Sequence, residues 1–203
     1  LTTIYPFIWV SLNSFKPRGL IRSDTFSLPI GDKFTLENYV TAFKRVDIGT
    51  AYVNSIVISG AVTVVVMVLA GLAAYAMVRY SFRLRGFLHS MIIASMMFPV
   101  FSTIIPVFRM ESSWGIVNTG SIWLTRLSVV LPQIAGNLSF AIIVLMGFIR
   151  SLPVDLEEAA YLEGYNVYQI FFRIIMPLAK PSFATVGIFT FLWSYNDLFL
   201  QMF

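Results

Sequence analysis

Residues 48–78 read "IGTAYVNSIVISGAVTVVVMVLAGLAAYAMV", thirty-one positions without an Asp, Glu, Lys or Arg. A bilayer core about 30 Å thick is crossed by about 20 helical residues. In lipid a helix satisfies its backbone polar groups within one segment. This stretch is therefore expected to be a membrane span, and it sets the fold class: all-α, a polytopic transmembrane helical bundle. The composition agrees, with 58% hydrophobic residues against 12% charged and a mean hydropathy of +0.80. A soluble domain carries about 25% charged residues, and this chain has too few to coat one.

Working outward, the pattern repeats. Residues 86–108 ("GFLHSMIIASMMFPVFSTIIPVF") form a second span, with Pro99 and Pro106 expected to bend it. Residues 127–149 and 178–200 form two more, and residues 1–15 resemble the tail of an earlier one. That makes five expected spans. The chain begins without methionine inside one apolar run and stops inside another. It is read as one transmembrane domain, 1–203, truncated at both ends.

The same residues exclude several classes. The net charge is +4, but the basic residues are scattered between apolar runs, which argues against nucleic acid. There is no cysteine and one histidine, His89, so a His- or Cys-built metal centre lacks its ligands. No G-x-x-x-x-G-K-S/T and no G-x-S-x-G occur, so neither a P-loop nor a hydrolase nucleophile is present. No catalytic residue, metal or cofactor is expected.

The polar intervals set orientation. The basic turn "RYSFRLR", 79–85, favours the cytoplasm. Span parity then puts 16–47 and 110–120 outside and 150–177 inside, although 16–47 holds six Lys/Arg of its own. Within 16–47, Leu36, Tyr39, Val40 and Phe43 share one helical face, with Thr35 as the expected N-cap and Glu37 in the first turn. This segment reads as an amphipathic helix on the membrane surface.

The interval 150–177 contains "EEAAYLEGYNVYQIFFRIIMP", 157–177. Glu157, Glu158 and Glu163 are expected to face water, since carboxylates cannot lie in lipid. Ser151 and Pro153 suit a helix start, and Asp155, Glu157 and Glu158 complement its dipole. Ala159 and Ala160 permit close approach, and Gly164 suits the left-handed stop of a helix. Val167, Ile170, Phe171, Ile174 and Ile175 then make an apolar stripe, which Pro177 should end. The residues describe a helix–glycine–helix hairpin. Two readings stay open: a solvated connector, or a docking element for a soluble partner.

Glu158-Ala159-Ala160, three residues, Gly164, nine residues, Ile174, one residue, Met176 and Pro177 resembles the EAA loop of ABC importer permeases. The family pattern is E-A-A-x3-G-x9-I-x-L-P. Met176 stands where leucine is usual, and Tyr165 where a small residue commonly follows the glycine. "FTLENYVTAF", "LPQIAGNLSFAIIVLMGFIRSLP" and "FLWSYNDLF" extend the similarity to the maltose-type carbohydrate permeases. The resemblance implies the type I importer permease fold, with six spans per subunit. It also implies two cytoplasmic ATPase subunits, a second homologous permease and an extracytoplasmic solute-binding protein. The place would be a bacterial or archaeal inner (plasma) membrane, crossed several times among lipid. Glu158, Ala159, Ala160, Glu163, Gly164, Ile174 and Pro177 would couple to the ATPase.

Polar residues within spans are candidates for a sugar path or for helix packing. Gln133 and Asn137 lie four apart, on one helix face, with Thr190 on another span. Asn54, Ser95, Ser102, Thr103 and Thr185 carry the same two readings. Gly60, Ala70 and Gly71 read as helix packing. In "WSYND", 193–197, Asp197 should lie near the outer interface or in a water-filled cavity. Trp193 beside Asn196 and Asp197 suits sugar contact, and Trp193 and Tyr195 suit an interfacial belt equally. The expected function is a permease for a sugar or oligosaccharide. The alternatives are an importer for polyamine or another small solute, and a membrane scaffold that only docks a partner.

Overall fold

The computed structural model describes residues 2–117 and 119–197, so the end of the expected span 178–200 lies outside the described residues. Among the described residues every regular element is helical. The chain forms two compact units, Leu1–Asn54 and Ser55–Phe203.

In the first unit, α1 (Tyr5–Ser14) has Pro6 in its first turn, where a missing N–H costs nothing. A short α2 (Arg18–Ser23) follows, then a single 3₁₀ turn at Gly31–Lys33 and α3 (Glu37–Arg45). Lys16 is fully buried, and its ammonium donates to Asn13 Oδ1 and to the carbonyls of Asp24 and Thr25, each at 3.0 Å. All three of its donors are thereby used, which is what makes the burial of that charge tolerable. Phe15 stacks on Phe34 and packs on Tyr39, and Asn38 Nδ2 donates to the Ser14 and Lys16 carbonyls. The long polar segment is therefore folded rather than open. α3 starts at Glu37 with Leu36 as N-cap, and Thr35 Oγ1 accepts from Glu37 N at 3.1 Å. The expected cap sits one residue early because Thr35 closes a turn instead of the helix.

The second unit is built on α4 (Ile48–Arg79), which begins before its boundary, and on α7 (Ile122–Ser151). Among the described residues these two helices are long and apolar enough to cross a bilayer. Between them, the expected span 86–108 is two shorter helices, α5 (Arg85–Ser95) and α6 (Val100–Ser113). The break falls at 96–99, where Pro99 takes an extended conformation as the α6 N-cap, whereas Pro106 is carried inside α6. After α7 come α8 (Asp155–Leu162), α9 (Val167–Leu178) and α10 (Lys180–Tyr195). Phe171–Ile175 within α9 is a π-helical turn. α9 and α10 meet at an 80° bend, a third crossing if the pair is one broken span. Pro177 does not end its helix: the chain turns at Ala179, between Pro177 and Pro181, neither of which can donate a ladder bond.

The core explains why α4 is apolar all round yet specific. Val62, Val66, Ala70 and Ala74, four residues apart, are all fully buried, with Leu145, Ile149, Phe171, Ile175 and Val186 in the same core. Gly71 is a contact point. A Cβ there would lie 2.8 Å from the Phe183 ring and 3.1 Å from the Phe171 ring. Gly60, expected to serve packing, has nothing within 4 Å of where a Cβ would stand.

Candidate functional site

The hairpin at 150–177 is formed by α8 and α9. Ser151 and Pro153 do not open α8: Ser151 closes α7, its Oγ donating to the Phe148 carbonyl. Asp155, Glu157 and Glu158 occupy the first turn of α8, where acids oppose the positive end of the helix dipole. The helix ends in a Schellman motif. Gly164, at φ +84°, donates to the Tyr161 carbonyl, and Tyr165 N donates to Ala160 O, both at 3.0 Å. Asn166 then caps α9: its side chain accepts from Gln169 N, and the Gln169 side chain accepts from Asn166 N, each at 2.9 Å. The turn is thus specified on both sides, by a left-handed glycine and by a capping box.

The acids divide in two. Glu158 and Glu163 are exposed. Glu157, expected to face water, is buried at 4% exposure. Its Oε2 accepts from the Tyr75 hydroxyl at 2.7 Å, and its Oε1 pairs with Arg79 Nε. Arg79 Nη2 donates onward to the Leu152 carbonyl at 2.9 Å. The carboxylate leaves water because both of its oxygens find donors on the last two turns of α4. Tyr80 and Tyr161 meet hydroxyl to hydroxyl at 3.0 Å, and that bond, then burial, holds the Tyr161 hydroxyl above its ordinary range. The Tyr75 ring lies 5.5 Å from Phe171 of α9.

The rest of the hairpin is divided between a buried and an exposed face. Ala160 is buried and Ile174 half-buried, while Ala159 and Pro177 are exposed. Of the apolar stripe, Ile170, Phe171 and Ile175 are buried and Val167 is exposed. Tyr165 is half-buried under the guanidinium of Arg173, 5.8 Å from the ring centroid. Leu162 is 90% exposed and Tyr168 71%, with Val154, Leu156 and Phe172 also open. Leu162 and Tyr168 thus lie open on the same hairpin as the exposed carboxylates of Glu158 and Glu163.

The second set of candidates falls elsewhere, between α7 and α10. Gln133 is buried, and Ser194 Oγ donates to its Oε1. Gln133 Nε2, Thr190 Oγ1 and Ser59 Oγ are buried without hydrogen-bond partners. Asn137 Nδ2 returns to the Gln133 carbonyl at 2.8 Å, and Asn196 Nδ2 to the Leu192 carbonyl at 2.7 Å. Trp193 is exposed, with its ring against Phe140 and Phe189. Ser102 and Thr185 return their hydroxyls to their own helices, as does Ser95, which also meets Ser139. Asp197, half-buried, follows the end of α10.

Sequence reasoning missed Tyr75 and Arg79, and with them the role of Glu157. The available signal was the spacing: Tyr75 and Arg79 lie four apart at the polar end of a charge-free span, and Glu157 lies three before the small Ala160. Reading Arg79 only as part of a basic turn concealed it.

Comparison with known proteins gives the family of the chain. Residues 40–203 match the family model described as binding-protein-dependent transport system inner membrane component. The chain is 36% identical over 199 residues to the diacetylchitobiose uptake system permease protein of Streptomyces coelicolor, covering 98% of this chain and 63% of that protein. It is 33% identical to the trehalose transport system permease protein of Mycobacterium tuberculosis, over 98% of this chain and 69% of that one. The chain therefore spans about two thirds of the length of these curated relatives. The crystal structure of a bacterial ABC transporter involved in the import of the acidic polysaccharide alginate shares the fold, with a TM-score of 0.80 at 24% identity, over 97% of this chain and 66% of that one. The chain belongs to the family of binding-protein-dependent transport system inner membrane components.

Proposed function

We propose that this chain serves as a transmembrane permease subunit of an ATP-driven, binding-protein-dependent importer for a sugar or oligosaccharide. The single observation that carries the reading is the hairpin 150–177. It is rigidly capped and anchored from within, yet displays Leu162, Tyr168, Glu158 and Glu163 outward. The names of the relatives, which are permeases of diacetylchitobiose and trehalose systems, support a carbohydrate. On this reading the hairpin lies in the cytoplasm and docks on one of two ATPase subunits. The segment 16–47 lies outside, a second homologous permease completes the pore, and a solute-binding protein delivers the sugar. ATP hydrolysis belongs to the partner.

In the proposed path Asn137, Trp193, Asn196 and Asp197 meet solute, since each retains exposed or half-buried surface. Gln133, with its Nε2 unpartnered, joins them when α7 and α10 separate in the alternating cycle.

The test is the assembled complex in lipid vesicles, given binding protein and ATP. Oligosaccharide should stimulate ATP hydrolysis and accumulate inside. Stimulation by a polyamine alone would redirect the substrate class. Hydrolysis indifferent to every solute would favour the docking scaffold.

A further inference from the structure

We propose that Tyr75, Arg79 and Glu157 are positioning residues that carry displacement of the hairpin into α4, so that α8 and the end of α4 move as one body. The proposal rests on the docking reading above. Its warrant is connectivity. The hairpin is joined by backbone to α7 on one side and α10 on the other. α4 is remote in sequence, with Arg79 and Glu157 separated by 78 residues. A force on the hairpin reaches α7 and α10 through the chain and α4 only through non-covalent contact, by the shared apolar core and, at the end of α4, by this polar tie.

One guanidinium supplies that tie to two places at once. Arg79 Nε holds the Glu157 carboxylate of α8, and Nη2 holds the Leu152 carbonyl in the α7–α8 connection. Tyr75, one turn earlier, takes the other carboxylate oxygen. The second arm of the hairpin is tied to the same end of α4 by packing: Phe171 of α9 lies against Tyr75 and over Gly71. Glu157 is buried with both oxygens paired, and separating it from Arg79 would leave its carboxylate uncompensated, so the joint is stiff. Adjacent glutamates thereby divide the labour. Glu158 faces outward for a partner and Glu157 inward for α4.

A merely structural role and a transmitting role differ in coupling ratio. Glu157→Gln, Tyr75→Phe and the neutral pair Glu157→Gln with Arg79→Gln would be compared in the assembled complex in vesicles. The neutral pair leaves no buried charge uncompensated, which protects folding. Tyr75→Phe and the neutral pair should co-purify with the ATPase at wild-type stoichiometry, whereas Glu157→Gln alone leaves Arg79 uncompensated and should lower the yield of folded complex. Sugar taken up per ATP hydrolysed should fall about tenfold in the neutral pair and about threefold in Tyr75→Phe, which keeps the ion pair. Spin labels at 82 and 162 should keep one separation with and without ATP in the wild type, and two in the neutral pair. Unchanged uptake per ATP, loss of ATPase in step with uptake, or a wild-type separation that changes with ATP would each overturn the linkage alone. A wild-type chain that recruits no ATPase would refute the docking reading itself, and the linkage with it.

Discussion

Two clusters of buried polar groups in the second unit, one around Glu157 and one around Gln133, are satisfied to different degrees. At the hairpin, both oxygens of Glu157 and the guanidinium of Arg79 have partners. Between α7 and α10, Gln133 keeps one bond to Ser194 while its Nε2 and the Thr190 hydroxyl have none. An unpaired buried charge costs far more than an unpaired amide or hydroxyl, so only the neutral group can remain half-satisfied. The difference teaches where the molecule is fixed and where it can rearrange. A fully paired site has one arrangement. A half-paired site gains bonds by opening.

The comparison breaks most visibly at the charge. Arg79→Ala leaves Glu157 buried and uncompensated, and should destabilise the chain by about 3–5 kcal/mol, read as a lowered unfolding midpoint in detergent. A midpoint unchanged from wild type would show that the pair is not stiff. The next effect lies at the turn. Gly164 has open space where a Cβ would stand, so Gly164→Val costs backbone strain alone, on the order of 1–2 kcal/mol. Binding of the ATPase should weaken with the spans still folded, and Glu158→Lys should weaken it through charge.

A smaller effect is expected between α7 and α10. Gln133→Leu removes the Ser194 bond but also the orphaned Nε2, so the two offset to within about 1 kcal/mol and assembly is kept. Combined with Asn137→Leu it should reduce uptake, and unchanged uptake would assign both residues to helix packing. The smallest effect lies in the first unit, at the exposed Lys33–Asp24 pair. The hydrogen bonds from Lys33 and Ser27 hold the Asp24 carboxyl below its ordinary 3.8. Its contribution is therefore complete above that value and lost as pH falls through the lower folded one. Stability of Asp24→Asn relative to wild type should be flat between about pH 5 and 8 and should converge on it in stronger acid.

Much of this was legible because the deciding signals are local. The span at 48–78 follows from charge-free length, and the Gly164 stop from the one residue that takes positive φ without strain. Boundaries set by competition were harder. Thr35 yielded the cap position to Leu36, Pro99 separated α5 from α6, and the bend fell at Ala179, between Pro177 and Pro181, rather than at Pro177. Glu157 was misread for a deeper reason. Carboxylates leave water only where another segment supplies donors, and Tyr75 and Arg79 lie about eighty positions away. Spacing along α4 marks Tyr75 and Arg79 as a pair on one face but does not say that Glu157 meets them.

The central claim is that the hairpin is a docking element rather than a connector. The most direct test places a cysteine at Leu162, the most exposed hydrophobic residue of the hairpin, and attaches a short photoreactive group to it in the assembled complex. Irradiation should join this chain to the ATPase, and a membrane-impermeant thiol reagent should reach that cysteine from the cytoplasmic face only. Labelling from the outer face, or irradiation that yields no adduct with the ATPase, would contradict the account.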